Sequence, residues 1–119
     1  MPAPRQGEIW LASLDPTVGD EIQKRRPVLV VSRDEVNARS GAGERVVIVV
    51  PLTTTQRAGT VRIAMPAPSP GAPDRASYAV PWRLRSIGVE RLERPIHHAT
   101  ADEVALVRRL ISVLLGPSA

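Results

Sequence analysis

A small, strongly curved β-barrel carrying one late helix is the fold that this chain predicts, and three observations carry that expectation. Strand-length apolar runs recur at close spacing, with Pro, Gly and Asp between them. Two of the runs, Val28-Leu29-Val30-Val31 and Val46-Val47-Ile48-Val49-Val50, lack polar alternation, as strands covered on both faces do. The one extended helical pattern comes after Thr100. A curled sheet buries strands of this kind without leaving two long open edges.

The elements follow in order. Glu8 to Leu14 is the first strand, with Ile9, Trp10, Leu11 and Leu14 apolar, and Asp15-Pro16 ends it. A polar loop from Thr17 to Arg25 leads to the second strand, Val28 to Ser32. Arg33 to Arg45 contains one helical turn at Asp34-Glu35-Val36-Asn37, and the third strand runs from Val46 to Leu52. Val61 to Met65 and Ser77 to Trp82 are the next strands. The prolines between Pro66 and Pro73 make the intervening segment a loop tip, since the halves on either side are too small to fold alone. Arg85 to Leu92 adds a last strand or a short turn of helix. The whole chain, 1–119, reads as one domain.

Thr100-Ala101-Asp102-Glu103 fits a capping box, in which Thr100 and Glu103 satisfy free backbone donors at a helix start. Val104, Val107, Leu110, Ile111 and Leu114 form one face, and Gly116-Pro117 stops the helix. Leu106, Val113 and Leu115 widen the apolar arc beyond one packing surface. A helix lying deep against the barrel would absorb some of that arc; we favour a surface that contributes to a homodimer.

Composition narrows the function. The 119 residues include no cysteine, which excludes a disulfide framework, a thiolate nucleophile and a thiolate metal site. The first residues lack the apolar stretch of a signal peptide and no run reaches membrane-spanning length, so a cytoplasmic location is expected. Sixteen basic residues against twelve acidic give a net charge of +4, and every basic residue but Lys24 is arginine. The planar fork of arginine matches phosphate oxygens, which suits a nucleic-acid surface.

Chemistry concentrates where Arg26-Pro27 opens the second strand and Pro51-Leu52-Thr53-Thr54 closes the third. A fixed guanidinium beside a hydroxyl can hold and polarise a phosphate. A guanidinium is a poor base, but it can clamp non-bridging oxygens and stabilise developing charge.

These residues stand in an order that resembles the MazF/PemK toxins of bacterial toxin–antitoxin pairs, from about Gly7 to Gly116. The resemblance lies in Gly7-Glu8-Ile9-Trp10, Leu14-Asp15-Pro16-Thr17-Val18-Gly19, Glu21 and Arg26-Pro27-Val28-Leu29-Val30-Val31. Pro51-Leu52-Thr53-Thr54-Thr55-Gln56 and Arg85-Ser86-Ile87 are similar to two further family signatures. The resemblance implies an SH3-like barrel of the type shared with the gyrase-poisoning toxins, and a homodimer. It also implies a sequence-specific endoribonuclease that cuts single-stranded RNA without metal or cofactor and is held by a cognate antitoxin protein. By the same resemblance Arg26 and Thr53 are catalytic and Glu21 is the candidate base. Ile22 follows Glu21 where the family commonly has glutamine. Lys24, Arg25, Thr54, Arg85 and Ser86 are expected to bind RNA.

His97-His98 are adjacent, so on an extended segment they point to opposite sides and cannot readily serve one phosphate together. With Trp10, Tyr78 and Trp82 the only aromatics, a broad base-stacking platform is not expected, and the tryptophans read as core or interface groups. Gyrase poisoning on the same fold relies on a Trp-Gly-Ile ending, whereas this chain ends Gly116-Pro117-Ser118-Ala119. A non-catalytic SH3-like binding module is the other alternative.

Overall fold

The computed structural model describes residues 3–14, 25–38 and 45–117. Among these, β1 (Glu8–Ser13), β2 (Arg25–Val30), β3 (Val46–Thr53), β4 (Val61–Met65), β5 (Arg75–Ala79), β6 (Arg85–Gly88) and β7 (Leu92–His98) form one seven-stranded antiparallel sheet. The one-turn helix α1 (Asp34–Asn37) follows β2, and α2 (Ala101–Leu115) follows β7. Single 3-10 turns at Pro81–Arg83 and Val89–Arg91 flank β6.

The strand order is β4-β5-β3-β2-β1-β7, with β6 also on β3. β3 organises the sheet. One of its edges bonds β2 through Val49, Val50 and Pro51. Its other edge is followed by β6 along Val46–Val49 and by β5 at Leu52 and Thr53. Between them the Val80 N–H donates to the Pro51 carbonyl at 3.1 Å.

Two hydrophobic cores result. Ile87 of β6 and Leu92 of β7, from opposite ends of the run β6-β3-β2-β1-β7, meet in one cluster with Trp10, Ala12, Leu14, Val28, Val30, Val47 and Val49. That contact requires the sheet to curl onto itself. On the reverse face Ile9, Leu29, Val50 and Leu52 pack with Val61, Ile63, Met65 and Ala79 of β4 and β5, and with Val107 of α2. β2 and β3 therefore alternate between two cores, which explains their unbroken apolar runs. Leu29 is fully buried and contributes about 1.5–3 kcal/mol by burial alone.

The capping box on α2 forms as expected. The Thr100 hydroxyl accepts from Glu103 N–H at 3.1 Å, and Glu103 Oε1 accepts from Thr100 N–H at 2.8 Å. The other oxygen of Glu103 accepts the Ala64 N–H of β4 at 2.9 Å. His97 Nε2 lies 2.9 Å from the Ala64 carbonyl, an acceptor only, so the ring donates from Nε2. Side chains thus join the outer edge of β4 to β7 and α2.

Four local expectations change. β2 begins at Arg25, not Val28, because β1 offers it a ladder through Ser13–Arg25, Ala12–Arg26 and Leu11–Pro27. β5 begins at Arg75 and ends at Ala79, and Pro81 starts a 3-10 turn where a strand was expected to continue. β7 was not anticipated; as the last strand in the sheet order it tolerates Glu93, Arg94 and Pro95, which hide its period. Leu114 does not join the packed face of α2: it is 55% exposed, while Val107 is buried and Val104, Leu110 and Ile111 are half-buried.

Candidate active site

The site forms where the β2–β3 ladder stops. Its rungs are Val30–Val49, Leu29–Val50 and Val28–Pro51. Pro27 and Pro51 have no N–H and cannot donate another rung. Arg26 and Thr53 each lie two residues past the last rung, on facing strands. Side chains alternate along a strand, so Arg26 shares a side with Val28 and Val30, and Thr53 with Val47 and Val49. All four valines line the same curled core, which puts the guanidinium and the hydroxyl on one face.

Both groups are half-buried. Arg26 has no ion pair or side-chain hydrogen bond among the described residues. The Thr53 hydroxyl accepts from Thr55 N–H at 3.3 Å, which leaves its own proton free to donate. Thr54 follows it, exposed, at the bend.

The remaining expected residues divide. Arg85 pairs with Val49, so it shares the face of Thr53; it is exposed and has no partner among the described residues. Ser86 pairs with Ile48 and takes the reverse face. There Ile48 lines a cleft of about 370 Å³ with Val31, Leu84, Arg108, Ile111 and Leu115. Arg25 points away from Arg26 and is engaged by Glu93: its Nε donates to both carboxylate oxygens at 3.0 Å, and a terminal nitrogen donates to Oε1. This pairing holds the Glu93 carboxyl below the usual glutamate range and raises the Arg25 pKa. Glu21 and Lys24 lie outside the described residues. In sequence they fall between Leu14 and Arg25, and Ser13 and Arg25 are paired beside the Ala12–Arg26 pair.

Two residues near Thr53 were missed as site candidates. Thr53 pairs with Tyr78 of β5, and Tyr78 pairs with Arg62 of β4. Directly paired residues share a face, so hydroxyl, phenol and guanidinium form one cross-strand row. Register between strands distant in sequence has no local signal. Of the other aromatics, Trp10 is buried with its Nε1 donating to Glu8 at 3.0 Å, and Trp82 is 46% exposed. His97 spends its Nε2 on Ala64, and His98 Nδ1 lies 2.8 Å from the Ala99 carbonyl.

Comparison with known proteins decides the family. The model of the PemK-like, MazF-like toxins of type II toxin–antitoxin systems matches residues 5–115. The chain belongs to this family. Endoribonuclease MazF9 of Mycobacterium tuberculosis is 38% identical over 103 residues, covering 85% of this chain and 86% of that protein. Crystal structures from Deinococcus radiodurans share the fold of this PemK-like chain. MazF alone superposes with a TM-score of 0.71 at 25% identity, over 97% of this chain and 98% of that one. A MazE–MazF structure gives 0.72 at 26% identity, over 98% of each. The SH3-like barrel with its terminal helix is thus the family's architecture.

Proposed function

We propose that this PemK-like chain is an endoribonuclease that cuts single-stranded RNA at a short sequence, without a metal, by way of the RNA's own 2′-hydroxyl. One observation carries the reading: in a chain of this family, a guanidinium unengaged among the described residues and a donor hydroxyl share one side just past the end of the β2–β3 ladder. The naming of similar proteins as endoribonucleases supports it.

In this reading Arg26 bridges the non-bridging oxygens of the scissile phosphate, where charge grows as the 2′-oxygen adds to phosphorus. Thr53 donates to the same group. The 2′-proton leaves to a base, for which Glu21 is the candidate. The phosphorus–5′-oxygen bond breaks, the 5′-oxygen takes up a proton, and the products are a cyclic phosphate and a 5′-hydroxyl end. Arg85 and Thr54 extend the path of the RNA, with Lys24 on the neighbouring segment. Arg25 joins only when Glu93 releases it. The protein works in the cytoplasm as a homodimer, and a cognate antitoxin holds it inactive, in keeping with similar toxins solved as MazE–MazF complexes.

The test is cleavage of a long mixed-sequence RNA in excess EDTA, with the cut ends mapped. Cuts at one short sequence, leaving 5′-hydroxyl ends and lost in folded Arg26→Ala and Thr53→Ala, are the expected result. No cutting by the folded parent would overturn the reading, and cutting that survives both substitutions would overturn the site.

A further inference from the structure

The row that begins at Thr53 does not stop there. Across the sheet the register reads Thr53 on β3, Tyr78 on β5 and Arg62 on β4. Neighbouring strands lie about 4.8 Å apart, so Arg62 sits roughly 10 Å from Thr53 along the row. Val61, Ile63, Met65 and Ala79 occupy the alternate positions on these strands and fill the core with α2. The row therefore faces outward, away from that core. Arg62 is exposed and Tyr78 half-buried. Neither side chain has a hydrogen-bond or ion-pair partner among the described residues. The next pair on the same face is Ala64–Ala76, so small side chains flank the tyrosine on that side. On the near side of Thr53 comes the gap left by the ended ladder, and then Arg26 paired with Ala12.

We infer that Tyr78 and Arg62 form a nucleotide subsite beside the scissile phosphate: the phenol ring stacks on the base of an adjacent nucleotide and Arg62 takes the next phosphate. This rests on the ribonuclease reading and gives the RNA a direction, across β3, β5 and β4. The arrangement has the elements that single-strand binding requires: a π-face with Arg62 at the far end of the row and Arg26 across the gap beyond Thr53. A lone ring serves one base, which is consistent with a protein of only three aromatic residues. The row is a binding element, since the phosphate held by Arg26 and Thr53 stays where the chemistry is.

The test uses the full chain and a fluorescein-labelled single-stranded 2′-O-methyl RNA of mixed sequence, which cannot be cut, with affinity read by anisotropy over a salt series. Tyr78→Ala is expected to weaken binding about tenfold, whereas Tyr78→Phe keeps parental affinity because the ring face remains. Arg62→Ala is expected to lower the salt slope by about 0.7, the loss of one phosphate contact on a single strand. On cleavable RNA, both alanine variants raise KM and leave kcat near that of the parent. A parent that cuts RNA while both alanine variants bind and cut as it does would overturn the subsite and leave the ribonuclease standing. A parent that neither binds nor cuts would overturn both. Variants that keep RNA affinity but no longer retain a partner protein would make the row a protein-docking surface, and the subsite would fall.

Discussion

The middle of β2 and β3 and the ends of the same strands follow opposite rules. In the middle, Val28, Leu29, Val30, Val49 and Val50 are fully buried, alternate between two cores and carry no polar side chain. At the ends, past the Val28–Pro51 rung, Arg26, Thr53 and Thr54 carry charge and hydroxyls and are at most half-buried. The stretch that fixes the sheet does no chemistry, and the groups suited to chemistry sit where the ladder has let go. Side chains at the ends can thus vary without disturbing the register that aims them.

Substitutions can break that division or sharpen it. The largest effect is expected in the middle: Leu29→Ala should cost about 2–5 kcal/mol of stability, read from the denaturant midpoint, because Leu29 is fully buried in the core shared with β4, β5 and α2. If the loss were below 1 kcal/mol, the middle would not be the anchor it is taken for. At the ends the balance reverses. Arg26→Ala should lower the cleavage rate at least about a hundredfold, while its denaturant midpoint stays within about 0.5 kcal/mol of the parent. A large stability loss there would mean that Arg26 supports the sheet.

The terminal half of α2 is a third kind of region, apolar but open. Leu106, Val113, Leu114 and Leu115 are 46%, 68%, 55% and 76% exposed. Leu115→Glu should shift the sedimentation mass from dimer to monomer and lower stability only by what association contributes. A parent that is already monomeric at micromolar concentration would remove the assigned purpose of this surface.

The smallest effect belongs to the Arg25–Glu93 pair, where both groups face solvent. Glu93 has a depressed pKa in the folded protein, so its contribution to stability is complete above the ordinary glutamate range and is lost as pH falls through the depressed value. Titration of the Glu93 side-chain resonance should show a midpoint below that of an unpaired glutamate, and Arg25→Ala should return it to the ordinary range. A midpoint unaffected by Arg25→Ala would show the pair to be open in solution.

Local patterns account for what the sequence disclosed. The unbroken valine runs, the Thr100–Glu103 cap and the proline-rich tip depend on neighbours within a few residues, and each was readable. The apolar runs placed Arg26 and Thr53 at strand ends, and the family order singled them out as catalytic candidates. What stayed hidden depends on register between distant segments. β7 was assigned no strand because Glu93, Arg94 and Pro95 interrupt its period, yet it pairs with β1 through two register shifts. Arg25 looked like a free cation until β1 brought Glu93 within reach from the other side. Tyr78 and Arg62 reach Thr53 only through two ladders. Leu114 was misjudged because helical phase says which residues share a face, and not how far along the helix its packing partners extend.

The side-chain clasp on Ala64 has a consequence for how the molecule keeps company. β4 is the terminal strand of the sheet, and such an edge is a template onto which an extended peptide from another chain can add. Here Glu103 occupies the Ala64 N–H and His97 its carbonyl, at 2.9 Å each. An incoming strand would have to displace a helix cap and a histidine before a rung at Ala64 could form. The β4 edge is thereby closed to strand addition at Ala64, by groups that α2 and β7 supply.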